Sequence, residues 1–187
     1  GILRTLVEPE HLSKIQILHK DYLRLAKVVV DIVKEVGKDF VRLQTSGKIY
    51  FDYLAICSGS NYNLPFKEQK VIPAMRAKHL KESNIWLEKA NKILIIGGGL
   101  VGVETAGEIC WKYPDKEITI VHAHDRLIER NNEKASRYVH SFLAQKGVKF
   151  FFNEKVVKHA KGNYITNKGT KVVADMAFLS TGIKPNY

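Results

Sequence analysis

Three consecutive glycines, Gly97 to Gly99, stand where the residue types and their spacing are best suited to chemistry. The apolar run Ile93-Leu94-Ile95-Ile96 precedes them, and it predicts a parallel strand buried on both faces. After Gly102, apolar residues return at helical spacing, which completes a strand, turn and helix. Backbone N–H groups at the start of such a helix, aided by its dipole, bind phosphate. The stretch therefore predicts a dinucleotide site, with a glycine turn that binds no ligand as the alternative.

The spacing of Gly97, Gly99 and Gly102 fits the pattern G-x-G-x-x-G, and each glycine has a distinct physical role. The first permits a sharp turn, the second lets a pyrophosphate approach the backbone, and the third lets the helix pack closely on the strand. A Walker-type phosphate loop is excluded because no Gly-Lys-Ser/Thr follows the glycines. The predicted pyrophosphate cradle consists of Gly97, Gly98, Gly99, Gly102 and the N–H groups of Leu100 and Val101.

The end of the next predicted strand, residues 117–122, bears on the choice between NADH and NADPH. An acidic residue about twenty positions after the glycines accepts a hydrogen bond from the ribose 2′-hydroxyl, whereas an Arg favours a 2′-phosphate. This chain has His122 in the usual acidic position, followed by His124 and Arg126. These three residues are candidate cofactor ligands, and we expect mixed use of NADH and NADPH.

The length and composition of the chain limit the classes of function that it can have. A chain of 187 residues can bury one good core or two small ones, and no apolar run is long enough to span a bilayer. Cys57 and Cys110 lie far apart on apolar segments, which predicts two buried thiols in a reducing, intracellular compartment. No His, Cys and Asp spacing suggests a metal site, so none is predicted.

The formal net charge of +11 would attract phosphates, anionic lipid or nucleic acid. The lysines are scattered, however, and form no basic run. A generally solvated basic surface is therefore favoured over a dedicated nucleic-acid face, and nucleic acid is not expected as the primary partner.

The elements around the glycine turn suggest a repeated architecture. Strands at residues 27–36, 40–45 and 48–52 form a predicted antiparallel meander that continues into a buried strand at 53–57. Residues 150–186 repeat the predicted order of strands and turns in residues 28–63 at an offset of about 123. Predicted helices at 74–89 and 129–146 flank the central part. Two copies of a meander on either side of a dinucleotide turn favour a duplication over two unrelated hairpin units.

These motifs resemble the pyridine nucleotide-disulphide oxidoreductase family, in which an NAD(P)H-binding domain is inserted into an FAD-binding domain. Cys57-Ser58-Gly59-Ser60 resembles the exit from the FAD domain, and Ser180-Thr181-Gly182 resembles the return. Tyr113-Pro114-Asp115, Ile120-Val121-His122 and the lack of a cysteine pair are similar to the apoptosis-inducing-factor-like branch, which includes the ferroptosis-suppressor quinone reductases.

The resemblance implies an α/β fold: a Rossmann-like NAD(P)H-binding domain with a parallel sheet and an antiparallel meander, plus a partial FAD-domain meander. It places the trailing part of the FAD domain at residues 1–65 and the NAD(P)H domain at 66–187, mainly 74–182. The flavin glycine motif and a later Gly-Asp segment are missing from this sequence, and the chain opens on Gly1 without Met. We therefore expect the middle of a longer reductase, inactive alone, whose partner is the remainder of its FAD domain.

The resemblance also assigns roles. Glu104 would lie by the nicotinamide, where it orients the ribose or assists proton movement, although a carboxylate in the first helical turn also simply complements the helix dipole. Gly182 would face the nicotinamide half, and Ser58, Gly59 and Ser60 would line the FAD side. Hydride would pass from NAD(P)H to FAD and on to a quinone-like acceptor, in the cytoplasm or in association with an organelle or membrane. A non-catalytic dinucleotide-binding module is the alternative.

Overall fold

The computed structural model describes residues 1–61, 71–73, 77–182 and 184–185. The chain divides into two compact units. The larger consists of Gly1–Ile15 and Asn61–Lys184, and the smaller of Gln16–Ser60 and Pro185–Tyr187. Among the described residues, no helix is long and apolar enough to cross a membrane.

The described residues form two 3₁₀ turns, five α-helices and thirteen strands. The 3₁₀ turns, Ile2–Leu6 and Pro9–His11, open the chain. The α-helices are α1 Leu12–Ile15, α2 His19–Tyr22, α3 Ala77–Lys89, α4 Leu100–Lys112 and α5 Glu133–Gln145. The strands are β1 Val33–Val36, β2 Phe40–Leu43, β3 Lys48–Tyr50, β4 Ser60–Asn61, β5 Val71–Pro73, β6 Lys92–Ile96, β7 Glu117–His122, β8 Lys149–Phe152, β9 Val156–Ala160, β10 Asn163–Thr166, β11 Lys171–Val173, β12 Met176–Leu179 and β13 Lys184–Pro185.

A five-stranded parallel sheet in the order β5-β12-β6-β7-β8 organises the larger unit. Helix α4 connects β6 to β7, and α5 connects β7 to β8, as parallel neighbours require. The pairing of Ile96 with both Val121 and Leu179 brings the carboxyl ends of three strands together. Ligands of open α/β sheets bind at such an edge.

The central strand β6 is buried on both faces because each face of the sheet is covered. Ile93 and Ile95 belong to a core that includes Leu87 of α3 and Ile109 of α4. Leu94 and Ile96 alternate with them and join a second core with Tyr164 of β10 and Val172 of β11. The sequence prediction of a doubly buried strand is thus confirmed.

Each unit contains a three-stranded antiparallel meander, β1-β2-β3 in the smaller and β9-β10-β11 in the larger. Phe40–Leu43 and Asn163–Thr166 begin and end 123 residues apart, and Lys48–Tyr50 and Lys171–Val173 show the same offset. In these two pairs of strands, the predicted repeat therefore holds for the first and the last residue of each strand. The α/β fold class with a parallel sheet and antiparallel meanders is confirmed.

Residues 53–57 are not a buried strand, and this prediction was wrong. Tyr53 is 95% exposed, Ile56 is 66% exposed and the Cys57 thiol is exposed, so only Cys110 of the two predicted buried thiols is buried. In the described part of the chain, no strand pairs with this segment, and apolar side chains without a covering layer remain in solvent. The predicted strand at 27–36 is similarly shortened to Val33–Val36, the length that its partner β2 can pair.

Helix α5 begins at Glu133 and not at residue 129 as predicted. Asn132 is the N-cap, and its side-chain oxygen accepts a hydrogen bond from the Lys134 N–H at 2.7 Å. An Asn in this position stops a helix from extending further toward its N-terminus, because it satisfies the first unpaired N–H groups. Residues 129–131 consequently belong to the loop that follows β7.

Candidate functional site

A cleft of about 570 Å³ lies at the carboxyl ends of β6, β7 and β12 within the larger unit. Its walls come from the glycine turn, the end of β7 with its following loop, the segment 154–156 and the return after β12. From the predicted site it includes Gly97, Gly99, Leu100, Val101, His122, His124 and Gly182. The topology thus brings together residues that are 85 positions apart in the sequence, from Gly97 to Gly182.

Gly97 and Gly102 are required by the backbone geometry of the turn. Gly97 has a φ of 110°, and a Cβ there would lie 2.4 Å from the Ser180 carbonyl oxygen. A Cβ on Gly102 would lie 1.9 Å from the Gly97 carbonyl oxygen. Neither position has room for a side chain, because the return after β12 packs against the turn at Gly97 and helix α4 packs on the turn at Gly102.

Gly99 differs from these two glycines because the space beside it is open. It is the N-cap of α4, and a Cβ there would meet no atom within 4 Å. No side chain caps the helix start, and the first turn contains no acidic residue. The first N–H groups of α4 therefore point at a space that an anionic group can enter, and these residues fit the pyrophosphate of a dinucleotide.

His122 links the glycine turn to the loop after β7. Its Nδ1 accepts a hydrogen bond from the Gly98 N–H at 3.0 Å, and its Nε2 lies 3.2 Å from Glu129 Oε2. Because Nδ1 is an acceptor, the hydrogen-bond pattern assigns the ring proton to Nε2, which donates to the carboxylate. Burial lowers the pKa of His122, and the nearby Glu129 charge opposes this only in part. The ring is therefore neutral at pH 7.

Glu129 lines the cleft although its position in the sequence did not suggest a role. Burial raises the pKa of its carboxyl group, but its own backbone N–H, the hydrogen bond from His122 and the nearby imidazoles of His122 and His124 together lower that pKa by more. The net pKa is below the usual value, so the group is a carboxylate at neutral pH. Its Oε1 lies 3.8 Å from His124 Nε2 and 3.9 Å from Arg130 Nε.

Arg126 occupies a different place from the one that its spacing suggested. Its guanidinium donates to the Glu129 carbonyl oxygen at 2.9 Å, and the residue lines a separate depression of about 190 Å³ with Arg137 and Phe152. Arg130, by contrast, lines the cleft and has a side chain that is 94% exposed. It is the arginine that the geometry brings to the cleft.

Glu104 and the serine-glycine segment do not line the cleft. Helix α4 begins at Leu100, so Glu104 stands in its second turn and not in the first as predicted; it is exposed, with Oε1 beside Gly1. Ser58 and Gly59 are exposed and belong to the smaller unit, and Ser60 lies in β4. The roles assigned to these residues remain predictions.

Sequence reasoning missed Glu129, Arg130 and Lys155 among the residues that line the cleft. Asn132 followed by Glu133 was a signal for a later helix start, and it would have placed residues 129–131 in the loop at the sheet edge. Lys155 had no such signal, because it reaches the cleft only through the path of the chain between β8 and β9. Within the described residues, no group of three His, Cys, Asp or Glu is arranged to hold a metal ion.

The sequence is similar to known proteins over most or all of its length. Apoptosis-inducing factor homolog B of Dictyostelium discoideum is 30% identical over 212 residues, which cover 100% of this chain and 55% of that protein. Ferroptosis suppressor protein 1 of Taeniopygia guttata is 34% identical over 177 residues, which cover 89% of this chain and 47% of that protein. The chain spans about half the length of the curated relatives it matches.

The fold is shared with solved structures of lower sequence similarity. An NAD-dependent persulfide reductase from A. fulgidus matches with a TM-score of 0.83 at 22% identity, over 100% of this chain and 39% of that one. Residues 4–187 match the pyridine nucleotide-disulphide oxidoreductase family. That match covers the glycine turn, the parallel sheet and both meanders, and the resemblance seen in the sequence is confirmed. This chain belongs to the pyridine nucleotide-disulphide oxidoreductase family.

Proposed function

We propose that this chain is the NAD(P)H-binding portion of an FAD-dependent oxidoreductase. The observation that carries the proposal is the open space at Gly99, beside an uncapped helix start at the carboxyl edge of a parallel sheet. Membership of the family supports the same assignment. A nicotinamide cofactor, when bound, would supply a hydride; the protein would hold the cofactor and exclude water.

Backbone N–H groups of the cleft would bind the charged part of the cofactor, and apolar side chains and Gly182 would accommodate the rest. The N–H groups of Leu100 and Val101 and the backbone of Gly99 would bind the pyrophosphate. The cleft also has an apolar lining, which Ile96 and Leu179 at the ends of β6 and β12 and Val121 near the end of β7 supply. Gly182 would accommodate the nicotinamide half, because its lack of a side chain leaves the return after β12 open to the cleft.

The wider reaction would pass the hydride to FAD and then pass electrons to a quinone-like acceptor. Membership of an oxidoreductase family supports the redox class, and the resemblance to the ferroptosis-suppressor quinone reductases suggests the quinone-like acceptor. Residues 1–65 would contribute the trailing part of an FAD domain, with Ser58, Gly59 and Ser60 on the flavin side. Glu104 would orient the nicotinamide ribose or assist proton movement in the complete enzyme.

Calorimetric titration of the 187-residue chain with NADH and NADPH tests the binding step. We expect saturable binding of at least one nucleotide, and we expect Gly99→Val to abolish it because the new side chain fills the pyrophosphate space. Gly107→Val is the matched control, since Gly107 lies in the same helix, outside the cleft, with nothing within 4 Å of an added Cβ. Equal binding by the two variants would refute the assignment of the glycine turn.

A further inference from the structure

The loop between β7 and α5 brings a carboxylate to the part of the cleft where an adenine ribose would bind. Rossmann-type domains recognise the ribose 2′-hydroxyl at the end of the second strand, which is β7 in this chain. The residue at that strand end is His122, and a histidine has a different hydrogen-bonding capacity from the usual carboxylate.

His122 has no nitrogen left for a ligand. Nδ1 accepts from the Gly98 N–H, and Nε2 donates to Glu129, so both ring nitrogens are committed within the protein. The ring is also buried, with only 7% of its side chain exposed. Its position is fixed from two directions, which suits it to hold another group in place.

Glu129 has the capacity that His122 lacks. Its side chain is 26% exposed and lines the cleft, so a ligand can reach it. Oε2 is bonded to His122, whereas the nearest basic nitrogens to Oε1, on His124 and Arg130, lie beyond hydrogen-bond distance at 3.8 and 3.9 Å. Each carboxylate oxygen has two acceptor sites, so Oε1 can accept a hydrogen bond from a ligand even when the Glu129 backbone N–H is bonded to the carboxylate.

We propose that Glu129 accepts a hydrogen bond from the adenine-ribose 2′-hydroxyl and thereby selects NADH over NADPH. His122 is the positioning residue that holds the carboxylate and ties it to the glycine turn. A 2′-phosphate would bring a second negative charge against Glu129 and remove the hydroxyl donor. The inference rests on the proposed dinucleotide site, and it replaces the expectation of mixed cofactor use with a preference.

Calorimetry on the wild-type chain, Glu129→Gln and Glu133→Gln tests the proposal. Wild type should bind NADH about ten-fold more tightly than NADPH, the range expected for a hydrogen bond to a charged group. Glu129→Gln should remove most of that preference. Glu133→Gln is the control, because Glu133 is four residues further along, exposed, and paired only with Arg137 among the contacts described; it should keep the wild-type ratio.

A modified nucleotide gives a second test without any substitution. The adenine 2′-deoxyribose form of NADH lacks the proposed donor, and wild type should bind it about ten-fold more weakly than NADH. In Glu129→Gln the two nucleotides should bind more nearly alike, because the partner of the hydroxyl has lost its charge.

The possible failures can be told apart. If wild type binds neither NADH nor NADPH, the proposed function fails and the inference fails with it. If wild type binds both equally or prefers NADPH, the inference alone is overturned. An equal loss of affinity for both nucleotides in Glu129→Gln would mean that Glu129 only supports the loop, and this also overturns the inference while the dinucleotide site stands.

Discussion

His122 is held from two sides by partners of opposite kind, a backbone donor on Gly98 and a carboxylate acceptor on Glu129. Protonation of Nδ1 would remove the acceptor of the Gly98 N–H and leave a buried donor facing another donor. The neutral ring is therefore part of the structure of the turn. The same ring is hydrogen-bonded to Glu129, the loop residue that we propose to recognise the ribose.

Stability should consequently fall in mild acid. Burial lowers the pKa of His122 in the folded chain, so the folded state binds fewer protons than the unfolded state below about pH 6.5, the ordinary histidine pKa. The free energy of unfolding should decrease as the pH falls through that range toward the lowered pKa. His122→Asn keeps an acceptor for Gly98 but cannot titrate, and urea unfolding at pH 7.5 and 5.5 should show a smaller difference for it than for wild type.

The control for this pH effect is His19→Asn, which changes an exposed histidine outside the larger unit. Glu129 and His124 also face the His122 ring, and both are present in all three proteins. An unchanged pH difference in His122→Asn would show that the buried ring does not couple the turn to pH.

Helix α4 depends on one glycine for its contact with β6. The Cβ of Gly102→Ala would lie 1.9 Å from the Gly97 carbonyl oxygen, and backbone cannot yield as a flexible side chain can. We expect this variant to lose about 2–3 kcal/mol of stability in urea unfolding. Gly107→Ala in the same helix has open space and should gain about 0.5–1 kcal/mol from helix propensity. Similar stabilities for the two variants would contradict the close packing.

The start of α5 sets the length of the loop that carries Glu129. Asn132→Ala removes the N-cap hydrogen bond to the Lys134 N–H and should cost about 1 kcal/mol in thermal or urea unfolding. Asn131→Ala, one residue earlier and exposed, should cost less because Asn131 is not the cap. A larger loss at Asn131 would mean that the helix begins elsewhere.

Elements with a strong local pattern could be predicted from the sequence, and those that depend on distant neighbours could not. Ile93 to Ile96 and the glycines after them specify their conformation by composition and spacing. Tyr53 to Cys57 have an equally apolar pattern but are exposed, because burial requires a partner layer and not only apolar side chains. Glu129 was missed for a local reason, since the helical pattern obscured the cap at Asn132.

Across the whole molecule, buried apolar residues are concentrated in the larger unit. Both hydrophobic cores lie there, whereas Leu43 is the buried hydrophobic residue in the described part of 16–60. Segments with few buried contacts open at lower free energy than a packed sheet does. The two units should therefore differ in local stability even though both contain the same meander.

Hydrogen exchange followed by mass spectrometry measures this difference. Peptides from β6, β7 and β12 should exchange last, and peptides from β1, β2 and β3 should exchange earlier by a clear margin. The comparison of β1–β3 with β9–β11 is matched, because the two meanders have similar strand lengths and pairing. Equal protection of the two meanders would contradict a stability set by the cores.

Amide chemical shifts can locate the nucleotide on the chain residue by residue. At 21.3 kDa the chain suits ¹H–¹⁵N correlation spectra recorded during a titration with NADH. We predict saturable shifts of the amides of Gly97, Gly98 and Gly99 and of the return at Thr181 and Gly182, with the amides of β1–β3 unmoved. Spectra that do not change with NADH or NADPH, or shifts confined to residues outside the cleft, would contradict a dinucleotide site at the glycine turn.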